Sequence, residues 1–176
     1  MKIPMAESHR VSRMETTIGT IIGTIFYFLL SIVYMSRFQK LSILSLRLGL
    51  GFLFFYAGIS KILEPGWTSA GYLKAAKTLS PLYHFFASPG IINITNFLNE
   101  WGLTLIGLSL LLGVFVRFAS IFGILIMFLY YIPILKFPYA GSNSFIIDQH
   151  IIYILIFFLL IAFDAEKVWS IKKLIR

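Results

Sequence analysis

LSILSLRLGLGFLFFYAGISKIL, residues 41–63, is apolar almost throughout and charged only at Arg47 and Lys61. A helix of this length reaches across the roughly 30 Å hydrocarbon layer of a bilayer. Helix is also the form that satisfies backbone polar groups within one segment in lipid. Pro65-Gly66 ends it, because proline disfavours helix at the residue before it and glycine punctuates. Arg47, Gly51, Phe54, Gly58 and Lys61 recur at steps of three or four and so share one face. The glycines let a second helix approach closely, which places this face inside a bundle, with Arg47 and Lys61 toward opposite membrane surfaces.

Further apolar blocks follow the same rule. Residues 18–35 form an uninterrupted apolar run, long for a signal-peptide core and followed by Ser36-Arg37-Phe38-Gln39-Lys40, which lacks a small-residue cleavage pattern; a further membrane helix is expected there. Helices are also expected over 96–116, 118–135 and 146–163. Only the Arg117 region separates the first two, so they form an antiparallel pair, and Pro133 and Pro138 end the second. Residues 141–144 read as a polar loop. Between Glu64 and Glu100 the chain is too polar to span. Trp67, Tyr72, Tyr83 and His84 suit the headgroup region, and a short interfacial helix is expected over 69–79, stopped before Pro81. Residues 164–176 alternate charged and apolar positions and read as a continuation of the last helix out of the membrane.

Across 176 residues, 59% are hydrophobic and 12% charged, outside the range of soluble domains. The net charge of +8 sits at the ends of apolar blocks, as the positive-inside bias and anionic headgroups require, and no basic-aromatic repeat points to nucleic acid. Arg37, Lys40, Arg117 and the tail with Lys167, Lys172, Lys173 and Arg176 share one face. That face is expected to be cytoplasmic, with the 64–100 segment outside. Cysteine is absent, so this chain cannot itself run a thiol–disulfide relay or hold a metal or cluster through thiolates.

Ionisable residues in membrane helices are costly, and here they sort into two levels. Arg47, Arg117, Asp164 and Glu166 lie toward the cytoplasmic face, where salt bridges and snorkelling are ordinary. Lys61, Glu64, Glu100, Asp148 and His150 lie toward the outer face. His150 follows Asp148 at the mouth of the last helix, and an imidazole there can donate or accept a proton. Three roles are open to it: structural, quinone or proton handling, and metal or haem ligation. The histidines His9, His84 and His150 lack metal-ligand spacing, so no metal or haem held by this chain is expected. On the 96–116 helix, Gly102, Ile106, Ser109, Gly113 and Arg117 form a stripe read as a packing face; on the last helix His150, Tyr153, Phe157 and Asp164 lie close to one face.

No phosphate loop, nucleophile elbow or zincin helix is present. A lipid-soluble substrate fits better, since a groove between aromatic-rich helices admits a flat apolar ring and a polar group at its end can bond a quinone oxygen. Candidate chemical residues are Lys61, Glu100, Asp148 and His150, with Trp67, Trp101 and Tyr153 as candidate ring contacts.

Residues 46–61, LRLGLGFLFFYAGISK, resemble the first helix of the DoxX family, which includes the DoxD small subunit of archaeal thiosulfate:quinone oxidoreductase. WGLTLIGLSLLLGVFVRFASIFG, residues 101–123, resembles the family's central hairpin, and DQHIIY, residues 148–153, the start of its last helix. The resemblance covers about 41–166. It implies an all-α integral membrane protein with a four-helix bundle over 41–166, an added helix within residues 1–40 and a basic tail at 167–176. It also implies association with membrane oxidoreductases, some using quinones. Many relatives carry an acid just after the glycine matching Gly102, where this chain has Leu103, with Glu100 about one turn earlier.

Two functions follow as expectations. One is a subunit of a respiratory or sulfur-oxidising quinone oxidoreductase, with quinone as cofactor and other membrane subunits supplying any redox centre. The alternative is a non-catalytic accessory subunit packed against larger chains of a terminal oxidase or similar assembly. Solute transport is disfavoured, because no span is broken midway and no inverted repeat is apparent.

Overall fold

A computed structural model describes residues 19–25, 37–140 and 144–170. By its internal contacts the chain divides into two units, 1–40 and 41–176. In the first, residues 19–25 are helical and mostly exposed; the rest of the helix expected over 18–35 lies outside the described residues.

The described part of the second unit is helical apart from one small hairpin. Its elements are α1 (Arg37–Leu63, its first turn in the first unit), the short α2 (Ala70–Lys74) and α3 (Ser80–Phe86), α4 (Ile92–Leu112) and α5 (Val116–Ile134). Strands β1 (Leu135–Lys136) and β2 (Tyr139–Ala140) follow, then α6 (Gln149–Ala162) and a 3₁₀ turn at Ala165–Lys167. By length and composition, α1 and α5 can each cross a membrane. α4 has 21 residues but carries Asn93, Asn96, Asn99 and Glu100 in its first half, and α6 is a shorter apolar helix of 14 residues.

The face predicted on α1 is the one it buries: Ile43, Arg47, Leu50, Gly51, Phe54 and Gly58. It meets α4 backbone to backbone. A Cβ at Gly107 would sit 2.2 Å from the Phe55 nitrogen, and one at Gly58 2.5 Å from the Thr104 nitrogen. This corrects the reading of α4. Its buried positions are Leu103, Thr104, Ile106, Gly107 and Leu110, so Gly107 makes the close approach, while Gly102 and Ser109 of the expected stripe turn toward the cavity and Ile106 lies between the two faces. Phe157 of α6 ties three helices together: its ring occupies the space over Gly123 of α5 and meets Phe54 of α1 edge-on at 5.2 Å.

Other boundaries move for identifiable reasons. The interfacial segment is two short helices, because Pro81 falls in the first turn of α3, where its missing N–H costs no hydrogen bond. α4 begins at Ile92, four residues before the apolar run. It ends at Gly113, whose φ of +68° permits a Schellman turn: Val114 N–H donates to the Ser109 carbonyl at 3.1 Å and Gly113 N–H to Leu110 at 3.3 Å. The stretch after α5 pairs Leu135 with Ala140 and Lys136 with Tyr139 around a cis Phe137–Pro138 bond.

The tail departs most from expectation. Asp164 adopts φ +47° and the chain turns instead of prolonging α6. Arg47, 2% exposed, does not snorkel, and its partners are main-chain oxygens instead of carboxylates. Its Nη1 donates to the carbonyls of Ala165 (2.9 Å) and Val168 (2.7 Å), and Nη2 to Trp169 (2.7 Å). Ser170 Oγ donates to the Gly113 carbonyl at 2.7 Å. One guanidinium thus supplies donors to three carbonyls of the turn that follows α6.

Candidate functional site

Pro133 begins the construction of the site. Lacking an N–H, it leaves the Leu129 carbonyl without its intrahelical donor, and the Tyr83 hydroxyl donates there at 2.9 Å. Next to it the Lys77 N–H donates to the Pro133 carbonyl at 2.9 Å and Thr78 Oγ1 to Leu135 at 2.5 Å, while the Tyr72 hydroxyl donates to the Tyr130 carbonyl. The segment carrying α2 and α3 is thereby fastened to the end of α5. A small core of Leu73, Ala76, Tyr83 and Ala87, backed by Phe86, Ile92 and Ile132, holds α2 and α3 in place. A second fastening reaches α4: the Ser69 N–H and Oγ both donate to Asn96 Oδ1, at 3.0 and 2.7 Å.

Beneath this cover a cavity of about 610 Å³ runs between α4 and α5. Leu105, Ile106, Phe118, Phe122, Ile126 and Leu129 are among its apolar walls, and Gly102 leaves room facing Ile126. Ser69, Tyr72, Asn99 and Tyr130 line the end of it nearest α2 and α3. Asn99 Nδ2 donates to the Tyr130 hydroxyl, and Asn99 Oδ1 is buried with no hydrogen-bond partner among the described residues. Burial, with Tyr130, Tyr83 and Asp148 adding, pushes the Tyr72 phenol above its ordinary value, so it stays protonated as a donor. The result is an apolar slot closed at one end by phenols and one amide oxygen that lacks a donor.

His150 stands behind this end. Asp148 caps α6, its Oδ1 accepting from the His150 and Ile151 N–H groups at 3.0 and 3.3 Å. Its Oδ2 accepts from the His150 Nδ1 at 2.5 Å. The imidazole meets the Tyr130 ring edge-on at 6.0 Å. Asp148 and His150 therefore reach the slot through Tyr130 and do not line it.

The other residues singled out by sequence lie apart. Lys61 Nζ donates to the Ala57 carbonyl at 2.8 Å, sits 5.4 Å over the Trp67 ring, and has Glu100 within electrostatic reach. Trp101 is exposed beside Phe97, and Tyr153 packs edge-on against Phe54. None of Lys61, Trp67, Glu100, Trp101 and Tyr153 lines the cavity. Leu103 is 2% exposed in the helix interface. Among the described residues no three His, Asp or Glu side chains come together as a metal site.

Asn99 and Tyr130 were missed because neither is charged and they are 31 positions apart. The available signal was the spacing of Asn96 and Asn99, one helical turn apart in the polar half of a membrane-length helix.

Compared with known proteins, residues 42–134 match the family model DoxX. The match spans α1 through α5, so it includes Asn99 and Tyr130 and stops short of Asp148 and His150. No curated protein and no solved structure matches the chain.

Proposed function

The chain belongs to the DoxX family, and from that premise we propose that it is a multi-pass membrane subunit accompanying an oxidoreductase and holding a quinone-type ring in the α4–α5 slot. Membership makes a membrane protein, often an oxidoreductase-associated one, the natural setting. Within it α1, α4, α5 and α6 cross the bilayer, with α2 and α3 on the outer face and the Arg47-bound tail on the cytoplasmic side. The basic residues Arg37, Lys40, Arg117 and Lys167 support that orientation.

The carrying observation is the slot itself: mostly apolar walls, with Ser69, Tyr72, Asn99 and Tyr130 gathered at one end and Ser109 further along α4. Such a shape takes a flat ring with oxygens at its edge and an apolar tail lying between helices. Electrons come from a redox centre on another subunit, of a respiratory or thiosulfate-oxidising enzyme, since this chain has no cysteine to carry one. Asp148 and His150 keep Tyr130 in position and offer a proton acceptor behind it.

Photolabelling with a prenylated azidoquinone in native membranes tests this. Label should fall on peptides of α4 and α5 and be displaced by unlabelled quinone. Label spread over all helices, or competed equally by phospholipid, would mean that the slot merely takes lipid chains.

A second reading, the non-catalytic accessory subunit, draws on the outward face of α1, where Phe52 and Tyr56 stack at 6.2 Å and are each 64% exposed. Under that reading a neighbouring chain covers this face. Cross-linking from position 56 to a co-purifying subunit, with no ring compound bound, would favour it.

A further inference from the structure

Taking the ring-binding slot as given, we infer that it selects a ring bearing a free hydroxyl, the reduced quinol or a phenol, over the oxidised carbonyl form. The amide of Asn99 is oriented by its own bond: one Nδ2 N–H donates to the Tyr130 hydroxyl, which turns Oδ1 into the buried position where it has no partner among the described residues. An amide oxygen can only accept. A quinone carbonyl can only accept as well, so against Asn99 it leaves two acceptors facing each other. A ring hydroxyl donates to Asn99 Oδ1, and its oxygen still accepts from Tyr130, whose hydroxyl proton is not used in accepting from Asn99.

Both Asn99 and Tyr130 line the cavity at its polar end, so both bonds can be made by one substituent. The apolar walls recognise ring and tail in either oxidation state and do not discriminate. Preference between the two forms then rests on Asn99. Tyr130 supplies affinity common to both, because every candidate head presents an oxygen. Binding the reduced form more tightly means that the slot holds product if the partner enzyme reduces quinone, or substrate if it oxidises quinol.

The test uses the full chain in lipid nanodiscs under anaerobic conditions, labelled with the prenylated azidoquinone. Displacement is compared for a prenylated hydroquinone, the matching quinone and the hydroquinone's dimethyl ether, which keeps the ring and oxygens but has no donor. The hydroquinone should displace label at roughly tenfold lower concentration than either other compound, the value of about one net hydrogen bond. Asn99→Leu should bring the three together while labelling persists. Tyr130→Phe should weaken all three and shrink the preference for the hydroquinone, because the Asn99 amide loses the bond that orients it and can turn Nδ2 toward a carbonyl. Equal displacement by the three on the unaltered protein, or a preference that survives Asn99→Leu, overturns the inference alone. Absence of displaceable label in α4 and α5 removes the slot reading and the inference with it.

Discussion

Polar groups are buried at both ends of the helices, and the two ends treat them in opposite ways. At one, Arg47 spends Nη1 and Nη2 on three backbone carbonyls, Ser170 bonds Gly113, and a Cβ at Gly113 would sit 2.8 Å from the Arg47 Nη1. At the other, Asn99 lines a cavity of about 610 Å³ with its oxygen unpartnered among the described residues. Arg47 Nε and Ser120 Oγ are also buried without such partners, but neither lines that cavity. A closed polar cluster in a low-dielectric interior stabilises a fold. An open one at the end of an apolar slot costs stability until something enters, which is the mark of a binding site.

If that contrast is right, the largest loss of stability comes from Arg47. Arg47→Leu removes the side-chain donor to the Ala165, Val168 and Trp169 carbonyls, of which Ala165 keeps the Val168 N–H at 3.3 Å, and should cost about 3–5 kcal/mol, seen as a large drop in the detergent melting temperature. The tail should become protease-sensitive between residues 164 and 170. A variant melting like the parent would reduce the Arg47 end to surface decoration.

Gly107→Ala comes next. The added methyl would meet the backbone of Phe55, which cannot rotate away as a side chain could. α1 and α4 must separate, at about 1–3 kcal/mol for overpacking. Gly102→Ala is the control on the same helix, meeting only the flexible Cδ1 of Ile126 at 3.2 Å. It should fold normally and narrow the slot, so equal melting of the two variants would undo the assignment of faces on α4.

These two glycines show where sequence reading reached its limit. The buried face of α1 was legible because Arg47, Gly51, Phe54 and Gly58 repeat at helical spacing and α1 is long enough to average out exceptions. On α4, Gly102 and Gly107 lie about 140° apart around the helix, and nothing local says which one meets a neighbour. Arg47 was placed on the correct face but given the wrong partners: its acceptors are main-chain carbonyls at least 118 positions away, which no side-chain pattern announces. His150 and Asp148 drew attention by charge, while the groups that line the slot, Asn99 and Tyr130, are uncharged and become a pair only through the fold. The exit of α6 failed for a local reason, since Asp164 takes a left-handed conformation that its sequence neighbours do not signal.

A smaller effect is expected at the fastening of the α2–α3 segment over the slot. Tyr83→Phe removes one donor from the carbonyl that Pro133 frees, for a cost of about 1 kcal/mol. Restoring the helical donor with Pro133→Ala in the same chain should recover part of it, because the alanine brings a backbone N–H that reaches the Leu129 carbonyl. A double variant no more stable than Tyr83→Phe alone would disconnect the proline from the site.

The smallest expected change is at Asn99, and it is the one that decides the comparison. Asn99→Leu removes a bond to Tyr130 but also removes a buried acceptor with no donor, and the phenol can turn its hydroxyl elsewhere. These terms oppose one another and come to within about 1 kcal/mol of zero. Melting of the ligand-free protein should therefore be unchanged or slightly raised, whereas Arg47→Leu melts early. A fall as deep as that of Arg47→Leu would mean that Asn99 is as much a structural clamp as the guanidinium, and the open end would have to be read as a second closed one.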